Sequence, residues 1–170
     1  MWQQPDNSVA VEALAFARDW PTLSALVSAN PDIIGQTCAN GEAMQMAISL
    51  GKAAQSTGQR QLSERVVDCV RDLLTAQGRG PIRSSFITAG WLEGLWAQVY
   101  ALEGNPDQAF ARLDRAIARG VRLPFGRGLS ELPVFDPFRS HPEYDRIDAR
   151  LKQLIANDRA EALSSRRSAA

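Results

Sequence analysis

The sequence predicts an all-α protein of antiparallel helical hairpins, closed by an irregular strap rich in proline and phenylalanine and by a final capping helix. Three observations lead there. Apolar residues recur at helical offsets in segment after segment, while no period-two alternation survives for more than a few residues. Gly, Pro and Asn punctuate these segments at short intervals, as tight helix–helix connections require. The stretch from Val121 to Tyr144 breaks the pattern, with four prolines, two glycines and three phenylalanines and no sustained period.

The first helix is expected over Ser8–Arg18, where Val9, Ala13, Phe16 and Ala17 share a face and Asn7 or Ser8 can cap the first turn. Pro21 sits where a second helix can begin, since its missing donor is not needed there, and Leu23, Leu26 and Val27 carry the face to Asn30-Pro31. Ile33, Ile34 and Gly35 read as a tucked connector. Met44, Ala47, Ile48 and Gly51 start a third stripe that Gly58 ends, and Leu62, Val66, Val67, Val70, Leu73 and Leu74 form the strongest apolar stripe of the first half. Gln77 to Pro81 is a breaker, after which Ser84 or Ser85 is placed to cap the next helix.

That helix carries Trp91, Leu95 and Leu102 on one stripe and Leu92, Trp96, Val99 and Tyr100 on the next, an arc wide enough to need cover on more than one side. It is therefore expected at the centre. After Gly104, Asn105-Pro106 caps and starts an outer helix, with Ala109, Phe110, Leu113, Ala116 and Ile117 inward and Asp107, Arg112, Asp114 and Arg115 mostly outward. In the strap, Phe125, Leu129, Leu132, Phe135 and Phe138 are too apolar for a free linker and should pin it across hydrophobic surface. Ser140-His-Pro-Glu143 has capping-box spacing, and Tyr144, Ile147, Leu151, Leu154 and Ile155 face inward from the last helix. The expected organisation is one domain over 1–160, with hairpins at about 8–30, 44–77 and 84–120, strap 121–141, capping helix 142–160 and a frayed tail 161–170.

Composition excludes more than it names. The 170 residues balance 19 basic against 19 acidic groups and are 45% hydrophobic, which fits neither an acidic disordered chain nor a polybasic nucleic-acid binder. The opening MWQQPDNS shows no cationic region followed by an apolar run, and no stretch approaches a membrane span, so the chain reads as soluble, non-secreted and cytoplasmic. Cys38, in a polar turn-like stretch, and Cys69, in a helical pattern, read as two isolated thiols of a reducing compartment.

Measured from Gly104, Tyr100 stands four residues before, Ala109 five after, Leu113 nine after and Ala116 twelve after. These offsets resemble the tetratricopeptide repeat, in which an aromatic residue, a glycine turn and small alanines let two helices approach closely. Around Gly58 the likeness is degenerate: Leu50-Gly51 match, while Ala54, Ser63, Val67 and Val70 occupy the other positions. Phe135, Asp136, Pro137, Phe138, Arg139 and Pro142 resemble the segment that ends tetratricopeptide regions in bacterial multi-domain signalling and transcriptional regulators. Together the likenesses run from Met44 to Leu154. They imply a short right-handed solenoid with a terminal lid, acting as a protein–protein interaction scaffold or regulatory module.

In that family ligands lie against the inner helices, which implies a partner-binding face of Gln45, Lys52, Gln55, Trp91 and Gln98, with Ile48 and Gly94 beside them. The expected partner is a protein or peptide, or a second copy in a homodimer, and neither nucleic acid nor membrane. The family's clamp for a peptide carboxylate is not matched, because Ser49 and Leu95 stand at the comparable positions. The alternative is a sensor that holds a small apolar molecule beneath the 121–141 strap. Nothing pairs a nucleophile with a base, so no enzyme is expected; His141 reads as a first-turn residue of the last helix, and Asp136, Glu143, Asp145 and Asp148 meet no ligand spacing, so neither metal nor cofactor is expected.

Overall fold

The computed structural model describes residues 6–30, 32–39, 44–78, 89–120 and 128–168. Eight α-helices are found there: α1 (Asp6–Ala17), α2 (Trp20–Ala29), α3 (Ile33–Ala39), α4 (Met44–Ser56), α5 (Arg60–Gly78), α6 (Ala89–Leu102), α7 (Pro106–Ala118) and α8 (Pro142–Ser168). Two 3-10 turns, Leu129–Glu131 and Pro133–Phe138, give the strap its local order. No strand occurs among the described residues. The all-α expectation holds, and no helix among them is long and apolar enough to cross a membrane.

One turn is used three times. At the end of α1, α4 and α6 a residue enters the left-handed region, Arg18 at φ 58°, Gly58 at 78° and Gly104 at 75°. In each case the next amide reaches back five residues: Asp19 to the Leu14 carbonyl, Gln59 to Ala54 and Asn105 to Tyr100. These are Schellman closures, which satisfy carbonyls that the helix end leaves open. The following helix then starts at once. Asp19 and Asn105 accept from the amides of Thr22 and Gln108, and Pro21 and Pro106 occupy the first turns. Three helical hairpins result: α1/α2, α4/α5 and α6/α7.

The core is centred on α4 as much as on α6. Every residue from Ala47 to Ala54 is buried, and α4 touches α1, α2, α3, α5, α6 and the second 3-10 turn. Gly51 makes this possible, since a Cβ there would lie 2.9 Å from Val66 Cγ1 on α5 and 3.3 Å from Leu102 Cδ1 on α6. The modest hydrophobicity of the α4 sequence hid that role, because small residues rather than large ones bring the neighbours close. On α6 the wide apolar arc is covered as expected, but polar Glu93 and Gln98 are buried with it. Glu93 receives Arg112 of α7 at 2.9 Å and Arg119, just past the end of that helix, at 3.0 Å. The Arg112 guanidinium also lies over the rings of Trp96 and Tyr100, 5.6 and 5.9 Å from their centroids, so Arg112 is not turned away.

The described part of the strap, from Gly128 on, is tied at two places. Leu129, Leu132, Val134 and Phe135 are buried, and Phe110 of α7 packs against Phe135, the ring of His141 and Tyr144. Asp148 of α8 accepts the Leu129 amide at 2.8 Å, which gives that acidic side chain a structural task. At the other side Arg18 grips Asp136 with two hydrogen bonds of 2.6 and 2.8 Å and donates to the Ser130 carbonyl. Arg139 reaches the same carboxylate. The end of the first helix is thereby latched to the strap.

Four expectations need correction. Cys38 and Cys69 are not separate thiols: they form a disulfide, with Cα atoms 6.0 Å apart, that joins α3 to α5. The argument for a reducing compartment falls with it, since such bonds persist where the surroundings are oxidising. The supposed connector at Ile33–Gly35 begins a helix, because Ile33, Ile34 and Thr37 all find buried sites on one face. The α8 cap is His141, whose Nδ1 accepts the Glu143 amide at 3.3 Å, and not Ser140. Finally, α8 continues to Ser168, past the expected end at 160 and through most of the expected frayed tail. Ser84, Ser85 and Phe125 lie outside the described residues.

Candidate functional site

The side chains expected to bind a partner mostly do bind something, namely one another. Gln45 of α4 and Gln98 of α6 exchange two amide hydrogen bonds of 2.9 and 3.0 Å, and Gln98 is 2% exposed. Two turns further along α4, Lys52 Nζ donates to Gln55 Oε1 at 3.2 Å, and Gln55 Nε2 donates to the Leu102 carbonyl at 3.1 Å. These polar rungs join the inner helices of successive hairpins. A reciprocal glutamine pair satisfies both amides without cost to the packing around it. Ile48 is fully buried, and a Cβ on Gly94 would meet nothing within 4 Å. Trp91 is half-buried against the core, apart from the rungs.

Beside the rungs lies a narrow cleft with about 20 Å³ of free volume. Gln45, Ser49, Lys52 and Gln98 form its polar side, Phe16 and Trp20 come from the first hairpin, and Leu132 to Val134 of the strap close it. Glu12 stands in the same wall. The cleft thus brings together three of the five expected residues, Gln45, Lys52 and Gln98. Gln55 instead lines a separate open groove of about 690 Å³ with Arg60, Glu64, Arg71 and Glu103.

Two charges in the cleft are out of their ordinary range. Burial pushes the Lys52 ammonium below the usual lysine value, with the Asp136 carboxylate partly opposing it. Lys52 is only 8% exposed, and among the described residues its hydrogen-bond partner is Gln55. Burial likewise raises Glu12 above the usual glutamate value. Asp136 moves the other way: its burial alone would raise it, but the hydrogen bonds from Arg18 and Arg139 and their charges hold it below the carboxylate range.

No family model, curated protein or solved structure matches the chain. What the site can do therefore has to come from its own chemistry. Among the described residues no group of three or more His, Cys, Asp or Glu side chains is arranged to hold a metal ion. The cleft offers a buried cation, a buried hydroxyl and apolar walls, a set suited to recognition.

Sequence reasoning missed Glu12, Phe16, Trp20 and the Leu132–Val134 segment, because they enter the site from the first hairpin and the strap. The available signal was Trp20 itself, a large side chain at a helix start beside Pro21. The latch between Arg18 and Asp136 left no local signal, since its partners are 118 positions apart.

Proposed function

We propose that the chain is a non-catalytic interaction scaffold of the tetratricopeptide type, its hairpins stacked as a short right-handed solenoid that a protein or peptide partner, or a second copy, engages along the inner helices. The carrying observation is the threefold turn, a left-handed residue at Arg18, Gly58 and Gly104 closed by the same five-residue bond. A sequence that repeats one turn with different residues repeats a structural unit, and stacked units of that kind present a continuous face. The regulatory and bacterial setting rests on the likeness of Pro133–Ile147 alone. Because Lys52 and Trp91 are packed, the informative substitution is at exposed Gln55. Partner affinity is expected to fall in Gln55→Arg while far-ultraviolet circular dichroism stays unchanged; undiminished affinity would remove this face from the proposal.

A second reading is favoured by one specific observation. A lysine more than nine-tenths buried, with Gln55 its one hydrogen-bond partner among the described residues, stands in a cleft roofed by the strap. That is an arrangement for a small ligand beneath the strap, and a ligand able to answer a cation rather than a purely apolar one.

A further inference from the structure

We propose that the cleft between α1, α4, α6 and the strap receives the carboxylate of a small monocarboxylic acid, which pairs with Lys52 while its short apolar tail lies toward Phe16, Trp20 and Val134. The inference rests on the second reading, that the cleft is a ligand pocket, and names the class of ligand.

An ammonium carries three donors and no acceptor, and Lys52 spends one of them on Gln55 Oε1. Ser49, also buried, adds a hydroxyl to the same wall, able to donate as well as to accept. The Gln45 and Gln98 amides spend one donor and one acceptor on each other, so the unspent positive charge of this wall is the Lys52 ammonium, with two N–H donors left. The carboxylate that acts on Lys52, Asp136, is already held by Arg18 and Arg139. A buried cation in that situation is matched by a singly charged acceptor.

Size narrows the class further. A free volume of about 20 Å³ is room for one water or for one carboxylate head, not for an extended peptide backbone. Glu12 is the opposing charge in the wall, and no ion pair holds it among the described residues. A dianion such as phosphate would meet that carboxylate with twice the repulsion. Burial disfavours the ionised form of Glu12, which lessens its effect on a monoanion.

The test is isothermal titration of the full chain at low ionic strength with propionate and with propionamide, a neutral molecule of the same shape. Propionate is expected to bind about 10- to 100-fold more tightly, the margin of a charge-assisted over a neutral hydrogen bond. Equal binding of the two would overturn the carboxylate and leave the pocket standing. Binding of neither would overturn both, with a water then answering Lys52. In folded Lys52→Met propionate binding should be lost, and in Glu12→Gln, a half-buried side chain whose loss removes only repulsion, it should tighten several-fold. Wild-type affinity in Lys52→Met, or weaker binding in Glu12→Gln, would place the acid elsewhere.

Discussion

Breaking the Cys38–Cys69 bond is expected to cost the chain a definite amount of stability. The bond spans 31 positions, and the loop-closure entropy removed from the unfolded chain then amounts to roughly 3.7 kcal/mol at 25 °C. For a chain of this size that corresponds to a fall in Tm of about 7–15 °C. Both cysteines are half-buried, so reductant can reach them without global unfolding. Helix α3 should survive reduction, because Ile33 and Ile34 stay anchored in the core, and the loss should appear mainly as a lower urea midpoint with little change in helicity. The assay is urea unfolding of oxidised protein, reduced protein and the double variant Cys38→Ser/Cys69→Ser, followed by circular dichroism. Reduced wild type and double variant should coincide. If oxidised and reduced proteins share one midpoint, the thiols are not joined in the folded chain and the reasoning fails.

Four further outcomes follow from the packing and the charges. Gly51→Ala should destabilise by about 1–2 kcal/mol despite its better helix propensity, because the new methyl meets Val66, whereas Gly94→Ala, with open space around it, should stabilise by about 0.5–1 kcal/mol; paired urea melts decide both. Arg18→Ala and Arg18→Gly lose the same ion pair, so the alanine variant should be less stable by about 1 kcal/mol, the cost of a left-handed φ with a Cβ, and equal midpoints would refute that. Asp136 titrates lower in the folded than in the unfolded chain, so its contribution is present above the unfolded value of about 3.9 and is lost as the pH falls through the lower folded value. Urea midpoints of Asp136→Asn should accordingly lack that part of the acid decline seen in wild type. For Lys52 the folded value is lowered, so stability should rise with pH toward the ordinary lysine value of about 10.4, and Lys52→Met should be more stable than wild type near neutrality by up to about 2 kcal/mol, read as a higher Tm.

The helices were legible because their signal is local. Ala109, Phe110, Leu113, Ala116 and Ile117 face inward as their spacing predicts, and Asn105 caps α7 where a side-chain acceptor before Pro106 should. What stayed hidden depends on approach rather than on pattern. Nothing adjacent to Cys38 says that Cys69 lies 6.0 Å away across α3 and α5, and both cysteines taken singly look like ordinary thiols. The centrality of α4 was masked in the same way, since Ser49, Gly51 and Lys52 weaken its apolar reading although all three are buried. The binding-face residues were chosen by helix position, and three of them do line one cleft. Their chemistry came out differently, because Gln45 and Gln98 bond to each other and the charged group among them is Lys52, with two donors unspent.

The grip of Arg18 on Asp136 bears on how the molecule comes apart. A stack of hairpins in which each unit touches only its neighbours can unzip from an end, one unit at a time. Here the turn that follows the last hairpin, Pro133–Phe138, reaches back through Asp136 to the end of the first helix and also rests on α4 and α6. Separating the end of the first helix from the turn at Asp136 must break that bond, and these contacts are among the most distant along the chain. Unfolding should therefore be all-or-none rather than stepwise, and folding should wait for its slowest step, the meeting of two segments 118 residues apart.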